Sequence, residues 1–216
     1  MENIAAITFD AGNTLLQPWP SVGEVYAEVA GEHGVTAEPA VLEQNFVNAW
    51  NEPREFDYTK QAWSHLVDEV FCGVAEVPPS ETFFDALYER FAEPATWRVY
   101  DDVLPTLEAL KQQNVRLAVM SNWDNRLRNL LERLNLSHHF EALFISAELG
   151  SQKPDPQIFA HAAAGLGVPH AQILHVGDSQ REDYQGALAA GFQGRWLHRN
   201  ASVCSNREIV SLSELA

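Results

Sequence analysis

The chain has 216 residues, a hydrophobic fraction of 46% and a formal net charge of −16 at pH 7. This length accommodates one large globular domain, or a core domain with a smaller companion. So negative a charge argues against non-specific binding to nucleic acid or to an anionic membrane, and no apolar run approaches the roughly 18 residues that a membrane span needs. We therefore expect neither nucleic acid nor membrane as a partner.

The charge is unevenly distributed along the chain. Residues 17–96 hold 15 acids and three bases, whereas the remainder holds 15 acids and 11 bases. This difference indicates two modules. Cys72 and Cys204 form no metal-binding pattern, and no basic segment precedes an apolar stretch at the N-terminus. We expect a reduced, cytoplasmic protein, and its oligomeric state does not follow from the sequence.

The first predicted element is a buried parallel strand over residues 4–9, which are short, apolar and β-branched. It stops at Asp10, and Gly12 and Asn13 then favour a turn because both accept positive φ angles easily. This arrangement exposes the Asp10 carboxylate at the C-terminal end of the strand. Ligand sites of open parallel sheets lie at those ends.

Residues 17–96 are predicted to be entirely helical. Prolines separate four amphipathic segments, and Ser21 with Glu24 fits a capping box at the start of the first. The pattern predicts a small four-helix module without a strand of its own.

From Trp97 onwards, helices alternate with apolar strands, which implies a parallel sheet with right-handed crossovers. Including the first strand, five strands are predicted: 4–9, 115–120, 142–146, 172–176 and 194–197. The fold class is therefore α/β, with a doubly wound (Rossmann-like) core. The predicted domains are a core of residues 1–16 and 97–216 and an inserted all-helical domain of residues 17–96.

Polar residues follow three of these strands: Asp10, the pair Ser121-Asn122, and Asp178. The loop after the third core strand adds Lys153. A nucleophilic acid, a hydroxyl donor, a cation and a second carboxylate are the groups that a phosphoryl-transfer site needs. His175, on the fourth core strand, is expected to be a core histidine bonded to backbone.

The same residues carry a family resemblance. Four segments in order are similar to the four motifs of the haloacid dehalogenase-like (HAD) hydrolase superfamily: residues 9–15, Ser121, residues 153–156 and residues 177–183. The sequences around the second and fourth motifs look most like members described only as HAD-like hydrolases. The helical insert after the first motif resembles the α-helical cap of that family.

The resemblance implies that Asp10 is the catalytic nucleophile, which forms an aspartyl-phosphate. Ser121 would bind the phosphoryl oxygens, with Asn122 nearby. Lys153 would neutralise charge between the nucleophile and the phosphoryl group. The physical argument agrees, because a lysine beside carboxylates stays protonated and favours an ionised nucleophile.

The resemblance also implies a Mg²⁺ cofactor. Its ligands would be Asp10, the backbone carbonyl of Gly12 and Asp178, with Asp183 supporting the ion directly or through water. The metal-free dehalogenases of the superfamily lack the Gly-Asp pair that stands here at Gly177-Asp178. A haloacid dehalogenase is therefore the less favoured interpretation.

Gly12 departs from the pattern. Phosphatases of the family place there a second Asp, which protonates the leaving alcohol and later activates water. Loss of general acid–base help costs about 10²–10⁴-fold in rate. Three alternatives stay open: a substrate with a good leaving group, a proton donor from the cap, or a protein that binds without turnover. A phosphonate-cleaving branch uses a cap lysine, and here Lys60 is the only lysine of the cap, which we expect to be exposed.

The function expected from these observations is Mg²⁺-dependent hydrolysis of a small phosphorylated metabolite through an aspartyl-phosphate. The alternative is a catalytically impaired binding or regulatory protein on the same fold.

Overall fold

The computed structural model describes residues 4–201 and 207–216, and Cys204 therefore lies outside the described residues. Two compact units make up the chain: Met1–Gln17 together with Val99–Ala216, and Pro18–Arg98. The assignment of these units as a catalytic core and a substrate-selecting cap stays a prediction.

The first unit is built on a parallel sheet. In the described residues the sheet has six strands, with the bounds β1 Ala6–Phe9, β4 Arg116–Ser121, β5 Ala142–Ile145, β6 Ile173–Gly177, β7 Gln193–Leu197 and β8 Glu208–Ile209. Their order across the sheet is β5-β4-β1-β6-β7-β8. In sequence order along the sheet this is 3-2-1-4-5-6, the arrangement of the Rossmann fold. The order reverses between β1 and β6, so a crevice opens at their C-terminal ends.

The central strands are buried on both faces, which explains why they are continuously apolar rather than alternating. The helices of this unit are α5 Val103–Gln112, α6 Arg126–Arg133, α7 Ser146–Leu149, α8 Pro156–Leu166 and α9 Gly186–Ala189. One apolar cluster joins α8 to the sheet through Ile158, Phe159 and Ala162. This packing fixes the loops at the C-terminal edge of the sheet.

The second unit contains the helices α1 Val22–Glu32, α2 Pro39–Asn51, α3 Lys60–Val70 and α4 Phe84–Arg90. The Ser21 side chain caps α1 by accepting a hydrogen bond from the Glu24 amide at 3.2 Å. A cluster of buried aromatic and aliphatic side chains fills the interior of this second unit. No helix in the described part of the chain is both long and apolar enough to cross a membrane.

Two short strands were not predicted. They are β2, Leu16–Pro18, and β3, Trp97–Val99, which pair with each other and contain the points where the chain passes between the two units. Just inside them, the Trp19 amide donates to the Thr96 carbonyl at 2.7 Å. Runs of three residues are too short for periodicity to reveal them.

The predicted α/β doubly wound fold is confirmed, but the predicted number of five strands was wrong. The sixth strand, β8, has two residues and pairs with β7. After β6, the helical segment begins as a π-helical turn over Gln180–Gln185 that leads into α9. Gly191 ends this segment with a φ of 82°, as expected for a glycine after a helix.

Candidate active site

Three predicted site residues lie at the C-terminal edge of the sheet. Asp10 directly follows β1, Ser121 is the last residue of β4, and Asp178 directly follows β6. The amide of Asp10 donates to the Val176 carbonyl at 2.9 Å, which continues the strand pairing one residue beyond β1. Since β1 and β6 flank the point where the strand order reverses, these side chains meet in the crevice.

A tight turn follows Asp10. Asn13 has a φ of 52°, and the amides of Leu15 and Leu16 both donate to the Ala11 carbonyl at 2.9 Å. Arg199, which comes shortly after the end of β7, holds this turn by donating a hydrogen bond to the Thr14 carbonyl at 2.7 Å. The chain therefore reverses within a few residues of Asp10.

Lys153 joins two of the carboxylates. Its side chain is only 1% exposed, and Nζ lies 2.6 Å from Asp10 Oδ1 and 2.5 Å from Asp183 Oδ1. Ser121 Oγ donates to the same Asp10 oxygen at 2.9 Å. Both hydrogen bonds to Asp10 reach Oδ1, so Oδ2 has no hydrogen-bond donor among the described residues. The carboxylate is thus oriented by one oxygen while the other stays available.

Asn122 fixes the backbone of the lysine loop. Its Oδ1 accepts from the Lys153 amide at 2.7 Å, and its Nδ2 donates to the Lys153 carbonyl and to Glu182 Oε2, each at 2.9 Å. Both amide hydrogens are therefore engaged by the protein. Downstream, Asp155 caps α8 by accepting from the Gln157 amide at 2.9 Å, and Pro156 occupies the first position of the helix.

Asp183 is held by donors on both oxygens. Besides Lys153, the ring nitrogen Nε2 of His175 lies 2.9 Å from Oδ1, and the Ser179 amide donates to Oδ2 at 2.8 Å. Gly177 makes room for this carboxylate, because a Cβ added there would lie 2.1 Å from Asp183 Cγ. Glycine is required at this position by a close approach and not by its φ angle.

Burial and mutual repulsion set the pKa values of the three carboxylates. Burial raises the pKa of Asp178 to about 8, and the charges of Asp10 and Asp183 add to the effect. Burial also raises the pKa of Asp10, although Lys153 opposes it. For Asp183, burial is outweighed by Lys153 and His175, which hold its pKa well below the usual range. Burial acts to lower the pKa of Lys153, but Asp10 and Asp183 outweigh it and keep the ammonium charged.

This donor set fits a divalent cation. One oxygen from each of Asp10, Asp178 and Asp183 lies within 4.8 Å of the others. The three acids are balanced by a single lysine, which leaves negative charge uncompensated and adds to the effect of burial on the pKa of Asp178. Carboxylate oxygens are the ligands that Mg²⁺ prefers in proteins.

The structure brings together all the predicted side chains of the site: Asp10, Ser121, Asn122, Lys153, Asp178 and Asp183. Gly12 lies in the turn beside Asp10 and forms an isolated bridge with Leu16, and the role of its carbonyl as a metal ligand stays a prediction. Lys60 belongs to the helical unit, where Nζ lies 2.7 Å from Asp85. Its side chain is half exposed, as expected.

Three residues escaped sequence reasoning. His175 is a core histidine with Nδ1 3.1 Å from the Thr8 carbonyl, as expected, but its contact with Asp183 was not foreseen. The Asn13 side chain acts against the burial that raises the pKa of Asp178, and Glu182 accepts from Asn122. Asn13 and Glu182 lie inside the first and fourth motifs, which was the only signal that could have pointed to them. His175 lies opposite Thr8 in the strand register, which the sequence alone does not reveal.

The chain is similar in sequence to a known family of hydrolases. A family model described as haloacid dehalogenase-like hydrolase matches residues 4–191. Haloacid dehalogenase-like hydrolase domain-containing protein 3 of Mus musculus is 37% identical over 196 residues, which cover 86% of this chain and 78% of that protein.

Two further similarities involve proteins named as phosphatases. The glyceraldehyde 3-phosphate phosphatase of Methanopyrus kandleri is 34% identical over 142 residues, covering 65% of this chain and 57% of that protein. The crystal structure of a HAD phosphatase from Thermococcus onnurineus superposes with a TM-score of 0.71 at 25% identity, covering 98% of this chain and 96% of that one.

Proposed function

Because the chain belongs to the haloacid dehalogenase-like hydrolase family, we propose that it hydrolyses a small phosphorylated metabolite through an aspartyl-phosphate on Asp10. The observation that carries this proposal is the asymmetric environment of the Asp10 carboxylate. Lys153 and Ser121 hold Oδ1 at 2.6 and 2.9 Å, while Oδ2 has no donor among the described residues. An oriented carboxylate with one available oxygen is suited to nucleophilic attack.

In the first step, an Asp10 oxygen attacks phosphorus, and a carboxyl O–P bond forms. The bond from phosphorus to the leaving group breaks, and the leaving group takes the electron pair. Lys153 stabilises the charge that spreads over the phosphoryl oxygens, and Ser121 offers them its hydroxyl in place of Asp10. In the second step, water attacks phosphorus and the bond to Asp10 breaks, which releases inorganic phosphate and restores the carboxylate.

Asp10, Asp178 and Asp183 are the side chains that would hold Mg²⁺. When bound, the ion supplies positive charge to the transferring phosphoryl group and screens it from the carboxylates. The role of Asn122 is positional in this proposal, because its amide is committed to the Lys153 backbone and to Glu182. It carries the lysine loop against the strand end on which Ser121 lies.

Gly12 restricts the substrate in this proposal. Glycine provides no acid to protonate a departing alcohol, so substrates whose leaving group departs as a stable anion are favoured. Aryl and acyl phosphates have such leaving groups, whereas alkyl phosphates do not. The relative named as a glyceraldehyde 3-phosphate phosphatase supports phosphoester chemistry on a related chain, but not that substrate for this one.

The test is phosphate release from 4-nitrophenyl phosphate, acetyl phosphate and glycerol phosphate with Mg²⁺. We expect the wild type to act on the first two and a Gly12→Asp variant to gain about 10²-fold on glycerol phosphate. The backbone tolerates this change, because the φ of Gly12 is not positive and an added Cβ would lie at an ordinary 3.5 Å from Trp123 Cζ3. Gly12→Ala, which adds the Cβ without the acid, is the matched control.

The second candidate function is binding without turnover, and Gly12 is the feature that favours it. If the wild type and Gly12→Asp release no phosphate from any of the three substrates although Mg²⁺ binds, the hydrolase proposal is wrong. Binding of inorganic phosphate under those conditions, measured by calorimetry, would then favour a phosphate-recognising regulatory protein.

Mg²⁺ binding is expected to release a proton. With a pKa of about 8, Asp178 is largely protonated at neutral pH in the metal-free protein, and the cation needs the carboxylate. A proton that competes with the metal weakens binding at low pH, so the Mg²⁺ affinity should rise roughly tenfold per pH unit between pH 6 and 8 and then level off.

Calorimetry in buffers of different ionisation enthalpy measures the number of protons released directly. A Mg²⁺ affinity that is constant over this pH range, with no proton release, would contradict the raised pKa of Asp178.

A further inference from the structure

His175 is a fully buried, titratable side chain that the proposed mechanism does not use. It lies on β6, opposite Thr8 of β1 in the strand register. Its Nδ1 is 2.9 Å from Thr8 Oγ1, and its Nε2 is 2.9 Å from Asp183 Oδ1. The ring of Phe159 packs edge-to-face against it at 5.9 Å. The imidazole therefore links a buried hydroxyl on one strand to a site carboxylate.

The contacts of the ring assign its tautomer. The ring is fully buried and shares Asp183 Oδ1 with the Lys153 ammonium, so a second positive charge there is unfavourable and the ring is neutral with one hydrogen. Asp183 is ionised and can only accept, and the Thr8 hydroxyl can donate to Nδ1, so these two contacts together place the hydrogen on Nε2. Nδ1 then accepts from the Thr8 hydroxyl. The other tautomer would donate from Nδ1 to the Thr8 carbonyl, 3.1 Å away, but would point the Nε2 lone pair at the carboxylate.

This hydrogen bond determines how the Asp183 carboxylate is oriented. Oδ1 accepts from both Lys153 and His175, and Oδ2 accepts from the Ser179 amide. Three donors from three different segments fix the plane of the carboxylate. Lys153 can then bridge Asp183 and Asp10 with Nζ–O distances of 2.5 and 2.6 Å.

We propose that His175 is a positioning residue for the acidic cluster, and that Thr8 sets its tautomer. Through Nε2–H, His175 holds Asp183 in the orientation that supports both Lys153 and the metal site. Outer partners that orient ligands in this way typically contribute about 10–100-fold in metal affinity. This inference rests on the proposed function only for the identity of the metal.

The test compares Thr8→Val with two matched controls. Thr8→Val removes the hydroxyl with little change of shape and leaves the carbonyl of residue 8, an acceptor 3.1 Å away, as the partner of Nδ1. We therefore expect the hydrogen of His175 to move to Nδ1 and the Mg²⁺ affinity to fall about tenfold. Thr8→Ser retains the hydroxyl and should restore both properties. Thr106→Val is the control for burying a valine, because Thr106 Oγ1 is buried on α5 without a hydrogen-bond partner among the described residues.

Nitrogen-15 NMR of the histidine rings reports the tautomer, and calorimetry reports the Mg²⁺ affinity, so neither measurement needs catalysis. In addition, His175→Gln, which retains a side-chain N–H donor, should bind Mg²⁺ more tightly than His175→Leu. An Nε2–H tautomer in Thr8→Val, or a Mg²⁺ affinity equal to that of Thr106→Val, would overturn the proposal. If the hydrogen of His175 moves to Nδ1 in Thr8→Val but the wild type releases no phosphate, the proposal for His175 stands and only the hydrolase function is rejected.

Discussion

An Asp10→Asn variant is expected to form no covalent phosphoenzyme and to lose about 10⁴-fold or more in the rate of phosphate release, because an amide oxygen is a poor nucleophile. The fold should survive this change. Asn has nearly the shape of Asp, and Lys153 retains its contact with Asp183 at 2.5 Å. Replacing Asp10 by a neutral group also removes one of the charges that repel Asp178.

Intact-protein mass spectrometry after rapid quenching detects the phosphoenzyme, and thermal unfolding verifies the fold. Asp155→Asn is the matched control. It removes a carboxylate from the same lysine loop, but Asp155 is exposed and serves as an N-cap, a role that Asn performs equally well. Phosphate release by Asp10→Asn at the wild-type rate would show that another group is the nucleophile.

A Lys153→Met variant is expected to lower the free energy of unfolding by about 3–5 kcal/mol without Mg²⁺, because breaking a buried ion pair leaves charges uncompensated. Here the uncompensated groups are Asp10 and Asp183, which the lysine otherwise joins. Phosphate release should be lost as well. Added Mg²⁺ should raise the melting temperature of this variant more than that of the wild type, since the cation replaces the missing positive charge.

The matched control is Lys60→Met. Lys60 is half exposed in the helical unit and pairs with Asp85, an exposed contact of a kind that contributes about 0–1 kcal/mol. Urea unfolding of both variants, with and without Mg²⁺, compares a buried with an exposed lysine. Equal, small losses of stability in the two variants would contradict the buried bridge.

The loss of stability in Lys153→Met depends on pH, and the sign of this dependence follows from the pKa of Asp183. Burial acts to raise the pKa of Asp183, but in the wild type Lys153 and His175 lower it below 3.8. Its carboxylate therefore stabilises the fold above that pH, and the stabilisation disappears only in stronger acid. Without Lys153, the effect of burial on the pKa of Asp183 is less opposed. The ionised Asp183 carboxylate then stabilises the folded state less as the pH rises. The difference in the free energy of unfolding between the wild type and Lys153→Met should therefore become smaller as the pH falls.

The sequence predicted which residues meet at the site because strand ends in a parallel sheet share one edge. Asp10, Ser121 and Asp178 each follow or end an apolar run that is recognisable without a structure. Lys153 was added from the loop after the third core strand, because such a site needs a cation. Asp183 was included because of the family resemblance, since helical turns have no comparable rule that places their side chains. The doubly wound fold followed from the alternation of elements along the chain.

The orientation of individual side chains could not be predicted. Nothing in the sequence indicates that the Asn122 amide faces the Lys153 backbone, because a residue after a strand can point to either side of the turn. The contact between His175 and Asp183 depends on a π-helical turn that carries the acid back over β6. The strand β8 has two residues, and so short an element has no periodicity to read.

The paired strands β2 and β3 also affect how this chain can evolve. Trp19 and Thr96 are hydrogen-bonded, so the ends of the helical insert lie side by side. A long open loop would add to the chain entropy lost when β1 pairs with β4. Because the two ends of the insert are held together, the insert adds to this loss of chain entropy only about as much as a short hairpin would. Helices between these strands can therefore be lengthened, shortened or exchanged without shifting the strand register that places Asp10, Ser121 and Asp178 at one edge of the sheet.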